Sequence, residues 1–395
     1  MIGKSVDLGD VCEVVRGGSP RPIIEYITTD EEGVNWLKIG DVNECDKYFR
    51  HANEKIKPSG IPKTREVVAG DLILSNSMSF GRAFITLING YIHDGWLRLR
   101  PNEEVLDRNY LYYFLISNFA QNQFKAIATG SVVNNLKTET VKAIKIFLPP
   151  LKIQKKIANY LDDIDEKIEL NNAINNNLEQ QAQAYFDKLF IINADPNWAK
   201  CTLSDIGSVI AGGTPSKSKP EYYANQGIAW ITPKDLSVDK SKFISRGEND
   251  ISELGFSKSS ATKMPAGTIL FSSRAPIGYI AIAQNEVTTN QGFKSVIPNE
   301  NIGTPYAYFL LKNLLPIIEG MASGSTFKEI SGAAMKSVPT VIPDANTIQL
   351  FSNFCEPIFK EQEVLESENK HLSVLRDSLL QKLMSGEIDV SGLVY

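Results

Sequence analysis

The side chains best suited to chemistry in this sequence lie in three polar loops, each of which occurs twice. The loops contain a Gly-Gly-Ser/Thr-Pro motif, follow a strand that ends in serine, or contain a Gly-Ser pair. Arginine and lysine can donate to O6 and N7 of guanine, asparagine can pair with adenine, and serine, threonine and backbone amides hold phosphates. We therefore predict that the loops contact DNA.

The predicted DNA-binding residues of the first copy are Arg16, Gly17, Gly18, Ser19, Arg21, Asn76, Ser77, Arg82, Asn134 and Asn135. Those of the second copy are Gly212, Gly213, Thr214, Ser216, Lys217, Lys219, Ser273, Arg274, Ser325, Thr326 and Lys328. An ordinary solvated surface is the alternative interpretation of any single residue in these sets. The recurrence of whole loops is a stronger indication of binding than any one member.

Other chemistries find little support in the sequence. The glycine-rich run at 212–218 lacks the glycine directly before lysine that a phosphate-binding loop needs, and Pro215 removes a backbone donor. Glu368 and Lys370 have the spacing of a nuclease motif but lie in a heptad repeat, where structural charges are the better explanation. The 4 cysteines and 3 histidines show no metal-ligand or disulfide spacing. We predict no catalytic residues and no metal site.

Composition and charge are those of a soluble protein with more than one domain. The chain has 395 residues, more than one hydrophobic core usually supports. The net charge of −5 is uneven, because 1–150 nets 0, 151–195 nets −3, 196–340 nets +3 and 341–395 nets −5. The acidity therefore lies outside the predicted DNA-binding loops. No apolar stretch indicates a signal peptide or a membrane span, so we expect a cytoplasmic protein without membrane contact.

Matched segments about 195 residues apart position the loops in two similar modules. The pairs include Trp36 with Trp230, and strands are predicted at 8–11 and 203–206, with amphipathic helices over roughly 109–119 and 305–315. A repeat of this length indicates duplication of a whole module with pseudo-twofold symmetry. The predicted globular domains are 1–150 and 196–342.

Each globular domain is followed by a long helix with apolar residues in alternating steps of four and three, which predicts a coiled-coil seam. The helical segments are 151–195 and 343–395. Asn171, Asn175 and Asn369 lie within this otherwise apolar seam, with Asn175 and Asn369 at equivalent positions, and such residues fix register and orientation, although tolerance of an exposed edge is the alternative. The spacing alone leaves a parallel or an antiparallel pair open. The predicted helix-pairing residues are Ile157, Leu161, Ile164, Ile168, Asn175, Leu178, Phe351, Ile358, Leu365, Asn369, Leu372 and Leu379.

Five segments together resemble one known family. They are 203–216 with its Gly-Gly-Thr-Pro-Ser, 272–278, 323–325, 148–157 with its Leu-Pro-Pro-Leu, and the tail 381–388. The sequence resembles the specificity subunit of type I restriction-modification systems over nearly its whole length. The resemblance implies an α+β fold with two target recognition domains and two long antiparallel coiled-coil helices. In the first copy Asn76 replaces the arginine that follows the serine, which bears on the bases read.

The resemblance also implies function. Members of this family are non-catalytic and direct two methyltransferase subunits, and through them restriction-translocase subunits, to a bipartite site on double-stranded DNA. S-adenosylmethionine, ATP and Mg²⁺ are then expected on the partner subunits only, and no cofactor on this chain. The unlike loops predict an asymmetric site, whose bases and gap length the sequence leaves open. The low positive charge predicts that partners supply most phosphate contacts.

The competing class is a structural scaffold whose two duplicated domains bind other proteins rather than DNA.

Acidic residues of the helices, among them Asp162, Asp163, Glu361 and Glu363, are a predicted partner-binding surface.

Overall fold

The computed structural model describes residues 3–42, 46–77, 80–128, 135–274, 276–324 and 328–392. The chain forms two compact units: unit 1 is Met1–Lys167 with Leu372–Tyr395, and unit 2 is Ile168–His371. This division in space cuts both long helices. The two units are defined by contacts in space, whereas the predicted segments 1–150, 151–195, 196–342 and 343–395 divide the sequence. The two divisions therefore do not test each other, and the predicted boundaries remain a prediction.

Unit 1 contains two five-stranded sheets and one two-stranded sheet within the described residues. Its strands are β1 (Lys4–Asp7), β2 (Cys12–Arg16), β3 (Ile27–Thr28), β4 (Val34–Leu37), β5 (Tyr48–Phe49), β6 (Glu54–Ile56), β7 (Arg65–Val67), β8 (Leu72–Ser75), β9 (Ala83–Thr86), β10 (Gly90–Ile92), β11 (Trp96–Pro101) and β12 (Lys145–Leu148). The sheet orders are β2-β11-β8-β9-β5, β3-β6-β4-β10-β7 and β1-β12. Its short helices are α1 (Arg108–Ile116), α2 (Asn118–Ala128) and α3 (Thr138–Lys142).

Two long helices run through both units: α4 (Leu151–Phe186), which continues as a π-helical turn at Asp187–Ile192, and α10 (Ala345–Ser385). Between them in the sequence, unit 2 has the short helices α5 (Leu203–Ile206), α6 (Pro233–Val238), α7 (Glu253–Ser257), α8 (Thr304–Met321) and α9 (Gly332–Lys336).

The sheets of unit 2 repeat those of unit 1. Its strands are β13 (Ala199–Thr202), β14 (Gly207–Ala211), β15 (Tyr223–Ala224), β16 (Ile228–Ile231), β17 (Phe243–Ile244), β18 (Asn249–Ile251), β19 (Ile269–Ser273), β20 (Ile277–Ala283), β21 (Thr288–Thr289), β22 (Lys294–Pro298) and β23 (Pro339–Ile342). The orders β14-β22-β19-β20-β17, β15-β18-β16-β21 and β13-β23 match unit 1 strand for strand, apart from β7 at one edge. The predicted α+β fold with an internal repeat is confirmed.

The predicted strands at 8–11 and 203–206 are wrong, because each segment is a single helical turn. Leu8–Asp10 is a 3₁₀ turn and α5 takes the equivalent place, while the strands β2 and β14 begin just after. In α5 the carboxylate of Asp205 accepts from the backbone N–H of Thr202 at 2.8 Å, as in a capping box. Leu203 and Ile206, three residues apart, then face the same side and are fully buried.

The amphipathic helices differ from their predicted bounds, because α1 ends three residues before the predicted 119 while α8 continues six residues beyond the predicted 315. In unit 1 the helix ends at Ile116 and α2 follows, because Ser117 adopts an extended conformation and its hydroxyl donates to the carbonyl of Phe114 at 2.6 Å. In unit 2 the helix is continuous as α8. No helix in the described part of the chain combines the length and apolar character that crossing a membrane requires.

The two long helices pack antiparallel within each unit, as the family resemblance implied. In unit 2, Asn171 of α4 contacts Asn369 of α10, whereas Phe186 packs against Phe351, so one residue number rises as the other falls. In unit 1, Ile157 and Leu161 share a core with α10 residues near its C-terminus. The following predicted seam residues are all buried or half-buried: Ile157, Leu161, Ile164, Ile168, Asn175, Leu178, Phe351, Ile358, Leu365, Asn369, Leu372 and Leu379.

A polar layer crosses the seam in unit 2, and it involves Asn171 rather than Asn175. The Asn171 amide donates to the carboxylate of Glu368 at 2.7 Å and to the side-chain oxygen of Asn369 at 2.9 Å. The Asn369 amide in turn donates to Asn172 at 2.8 Å. In an antiparallel pair, residues that are equivalent in the repeat need not face each other. A buried polar contact of this kind favours a single register.

We predict that Phe351→Ala destabilises unit 2. The Phe351 side chain is fully buried, and the rings of Tyr185, Phe186, Phe190 and Phe309 lie 5.3 to 6.1 Å from its ring. Loss of this packing is expected to lower the free energy of unfolding by about 3–5 kcal/mol, measured by urea denaturation. Val364→Ala on α10, where the side chain is 54% exposed, is the control. Equal denaturation midpoints for the two variants would contradict the assigned core.

Candidate DNA interface

In unit 1, the Gly-Gly-Ser-Pro loop is tied to the loop between β10 and β11. The Ser19 hydroxyl donates to a carboxylate oxygen of Asp94 at 2.7 Å, and the Arg16 guanidinium donates to the Asp94 carbonyl at 3.1 Å. Arg21 also reaches the Asp94 carboxylate, at 3.4 Å, with its side chain 82% exposed. The Asn76 amide donates to the Asp94 carbonyl at 2.9 Å. Asp94 therefore joins two of the predicted loops.

Unit 2 repeats this arrangement with different side chains. The Thr214 hydroxyl donates to the side-chain oxygen of Gln291, which stands where Asp94 stands in unit 1. Ser273 replaces Asn76, and its N–H and hydroxyl donate to the carbonyl of Gly292 at 2.7 and 3.1 Å. Two copies of one loop assembly thus carry different polar groups.

The third loop joins the same assembly through the backbone. The N–H of Leu136 donates to the Asn76 carbonyl at 2.8 Å, and the N–H of Ile330 donates to the Ser273 carbonyl at 3.1 Å. Asn135 and Lys328, which precede these residues, are exposed. The predicted residues Asn134, Ser325 and Thr326 lie outside the described residues. In each unit, the described residues that follow the third loop therefore contact the serine-ended strand loop of the same assembly.

The paired glycines have a packing role. A Cβ atom on Gly17 would lie 2.1 Å from the carbonyl oxygen of His93, and one on Gly212 would lie 2.0 Å from that of Asn290. Only glycine allows such an approach of two backbones. The N–H groups of Gly17, Gly18 and Gly213 donate to backbone carbonyls of their own unit. The predicted phosphate contacts of these three N–H groups would therefore require these hydrogen bonds to break.

The remaining predicted residues fall into three classes by exposure. Asn76 and Ser273 are buried and support the loops from beneath. Arg82 is half-buried with its guanidinium 5.3 Å from the ring of Phe84, and Arg274 is half-buried and pairs with Glu329 at 3.4 Å. Ser19, Ser77 and Thr214 are half-buried, and the exposed predicted residues are Arg16, Arg21, Asn135, Ser216, Lys217, Lys219 and Lys328.

Sequence reasoning missed the loop on which the others converge. His93-Asp94-Gly95-Trp96 corresponds to Asn290-Gln291-Gly292-Phe293, with a glycine before an aromatic residue in both copies. This match was a usable signal, since the aromatic residues are fully buried and fix the loop at the sheet edge.

Hydrogen bonding favours the ionised form of the Asp94 carboxyl. The Ser19 hydroxyl lowers the pKa of the Asp94 carboxyl, and the positive charge of Arg16 adds to this effect. Burial lowers the pKa of the neighbouring His93, which favours the neutral imidazole. The loop assembly of unit 1 therefore carries a carboxylate where that of unit 2 carries a neutral amide.

A buried lysine connects each globular sheet to the long helices. Lys47, next to β5, pairs with Asp162 of α4 and lies 3.1 Å from the Tyr113 hydroxyl. Lys242, next to β17, pairs with Glu179 of α4 and donates to Gln362 of α10 at 2.7 Å. Asp162 is therefore engaged inside unit 1, so the prediction that it belongs to an outer partner-binding surface is wrong.

We predict that Ser19→Ala raises the pKa of Asp94 towards its ordinary value. Because the folded-state pKa is lowered, the stabilisation by this contact is present above the unfolded-state pKa of about 4 and is lost as the pH falls through the folded-state value. Carboxyl-carbon NMR titration of labelled aspartate measures the change. Thr214→Ala is the matched control, since its partner Gln291 does not titrate. An unchanged Asp94 titration in Ser19→Ala would refute the assigned contact.

Known proteins match both modules. Residues 4–180 and 196–370 each match the type I restriction modification DNA specificity domain. The HindI specificity subunit of Haemophilus influenzae is 24% identical over 440 residues, which covers 90% of this chain and 94% of that protein. The MjaIX specificity subunit of Methanocaldococcus jannaschii is 40% identical over 179 residues, and this match spans 43% of the chain and only 41% of that relative.

The fold is also known from a solved structure. The type I restriction-modification S subunit from M. genitalium covers 97% of this chain and 96% of its own, with a TM-score of 0.59 and 18% sequence identity. At 18% sequence identity, the similarity to this structure shows that the two chains share a fold. Since the two domain matches together span most of the sequence, the chain belongs to the type I restriction-modification DNA specificity family, of which it carries two copies of the DNA specificity domain.

Proposed function

We propose that this chain binds a bipartite, asymmetric site on double-stranded DNA, one half-site per globular domain. The observation that carries the proposal is the loop assembly present once in each unit, with exposed cations beside it. Exposed arginine and lysine side chains suit phosphates and guanine edges. The paired contacts Ser19–Asp94 and Thr214–Gln291 keep the loop geometry alike while changing the groups presented, which supports two unlike half-sites.

The chain acts in this proposal as the non-catalytic guide of a larger enzyme. Two methyltransferase subunits and, through them, restriction-translocase subunits are directed to the site. S-adenosylmethionine, ATP and Mg²⁺ belong to those partners. The described part of the chain contains no cluster of His, Cys, Asp and Glu that could hold a metal ion. With a net charge of −5, the chain relies on partners for many phosphate contacts.

Methylation mapping tests the proposal. A genome expressing the chain with its methyltransferase is expected to carry methylated adenines or cytosines in a motif of two specified blocks around an unspecified gap. The motif should vanish when this chain is deleted. Methylation that persists without the chain, or a chain that captures proteins but specifies no motif, would favour the scaffold alternative.

We further predict that the long helices determine the gap length. Seven residues inserted into α4 between Lys167 and Ile168, together with seven into α10 between His371 and Leu372, keep the heptad phase of both helices. Seven helical residues add about 10 Å, which is about 3 base pairs of DNA. Methylation mapping should then show the same two half-sites with a gap lengthened by about that amount.

The matched control inserts the heptad into α4 alone, which leaves α10 one heptad short and should abolish methylation rather than shift the gap. A double insertion that changed the bases of the half-sites, and kept the gap, would contradict the helix-length hypothesis.

A further inference from the structure

One carboxylate in the loop assembly of unit 2 faces two cations. One oxygen of Glu329 lies 3.4 Å from the guanidinium of Arg274, and the other lies 3.6 Å from the ammonium of Lys294. The backbone holds the carboxylate there, because Glu329 and Ser323 exchange two N–H to carbonyl hydrogen bonds of 2.9 and 3.1 Å. Glu329 therefore neutralises positive charge directly after β19, where the predicted DNA-binding residue Arg274 lies.

The ammonium of Lys294 is buried but loosely held. Lys294 is 8% exposed. Its ammonium lies 3.4 Å from the Ser273 hydroxyl and 3.5 Å from the Gln291 carbonyl, which is longer than an ordinary hydrogen bond. By comparison, the buried Lys242 donates to an acceptor at 2.7 Å. A buried ammonium with such distant acceptors gains free energy when an anion approaches it more closely.

Unit 1 carries uncharged residues at the three equivalent positions. The register of β11 against β2 matches that of β22 against β14, which aligns Leu97 with Lys294. The matching N–H contacts of the third loop to Asn76 and Ser273 align the other two positions. The residues equivalent to Arg274, Lys294 and Glu329 are Ser77, Leu97 and Asn135, respectively. The charged cluster is therefore not required by the fold that both units share.

Two of the three charged side chains are accessible to solvent. Those of Arg274 and Glu329 are 37% and 38% exposed, and Lys328, directly before Glu329, is exposed as well. An ion pair of this exposure contributes little stability, so a competing anion can displace the carboxylate. A phosphate group, like a carboxylate, offers two oxygens from one centre, and arginine and lysine are the side chains that bind it best. The cluster thus suits a phosphate.

We propose that Arg274 and Lys294 form a phosphate site of unit 2, which Glu329 occupies in the absence of DNA and from which a phosphate of the DNA backbone displaces it. The inference rests on the proposed function and deepens it, because it assigns one backbone contact to one half-site. Glu329 is then an internal competitor that lowers the affinity of unit 2 for any duplex. Unit 1 has no counterpart of this site at the equivalent residues.

The experiment uses the full chain in complex with its methyltransferase and measures binding to a duplex that contains the methylated motif. Glu329→Gln keeps the shape of the side chain and removes its charge. It is expected to strengthen binding about two- to fivefold, the effect of losing one ion pair of this exposure. Glu300→Gln removes the same charge from an exposed residue beyond the other end of β22 and is the matched control, which should leave binding unchanged.

A second set of variants tests whether the two cations carry this effect. Arg274→Ser and Lys294→Leu together install the residues that unit 1 has at these positions, which the shared fold accommodates. The slope of log affinity against log salt concentration should become shallower by about one, which corresponds to one lost phosphate contact. In this background, Glu329→Gln should no longer strengthen binding, because the cations that it competes for are absent.

The outcomes separate the two proposals. In a complex that methylates a bipartite motif, unchanged or weaker binding by Glu329→Gln, or a salt slope unaffected by the paired substitution, overturns the phosphate site and leaves the proposed function intact. A gain from Glu329→Gln that persists undiminished without the two cations also overturns the site, since the carboxylate then acts by general repulsion of DNA. Absence of any bipartite motif in the wild type overturns both proposals.

Discussion

The burial of one lysine in each unit is the constraint on which the rest of the structure depends. Lys47 and Lys242 are 6% and 7% exposed, and an ammonium group that leaves water needs close carboxylates and well-placed acceptors. Asp162 and Glu179 of α4 supply the carboxylates. Since either partner left alone would be an uncompensated buried charge, each globular sheet is held against the helices in one arrangement.

Charged and hydroxyl groups around each lysine–carboxylate pair extend the contact. Burial lowers the pKa of the Lys242 ammonium, although Glu179 opposes this. Burial also raises the pKa of the Glu179 carboxyl, but the charges of Lys242 and Lys312 outweigh it and leave that pKa below its usual value. In unit 1 the hydroxyl of Tyr113 lies 2.8 Å from Asp162 and 2.6 Å from Asp165, and Asp165 also accepts from Arg376 of α10 at 3.0 Å. The network thus reaches both long helices.

Features that depend on periodicity, such as the buried face of each long helix, could be predicted from the sequence. Features that depend on contacts between distant parts of the chain were predicted less well. The heptad positions are buried or half-buried because a 4-3 spacing places them on one face whatever the partner. Helix orientation is not encoded in that spacing, so the partner of Asn369 is Asn171 and not its repeat equivalent Asn175. Strand patterning failed at 203–206 because two apolar residues three apart also fit one helical turn.

Some important residues were hard to find because their types suggest a surface. Lysine is seldom buried, so neither Lys47 nor Lys242 stands out in the sequence. Asp94 and Gln291 differ chemically, so the sequence does not show that they have the same role. The structure shows it, because each accepts a hydrogen bond from the hydroxyl of the neighbouring glycine-rich loop. The predicted loops themselves were recognisable, because glycines forced by backbone contact recur at the same interval in both modules.

The division of the chain into units also bears on the order in which it folds. Unit 2 is continuous in sequence, whereas the core of unit 1 includes Leu380, Leu383, Met384 and Val390. On the ribosome these residues emerge only after the whole of unit 2 has been synthesised. The globular part of unit 1, although made first, therefore completes its core last, and contacts over such a large sequence separation form slowly. During synthesis, the apolar face of α4 in unit 1 stays uncovered until the C-terminal part of α10 has been made. The first half of the chain therefore depends most on protection from aggregation.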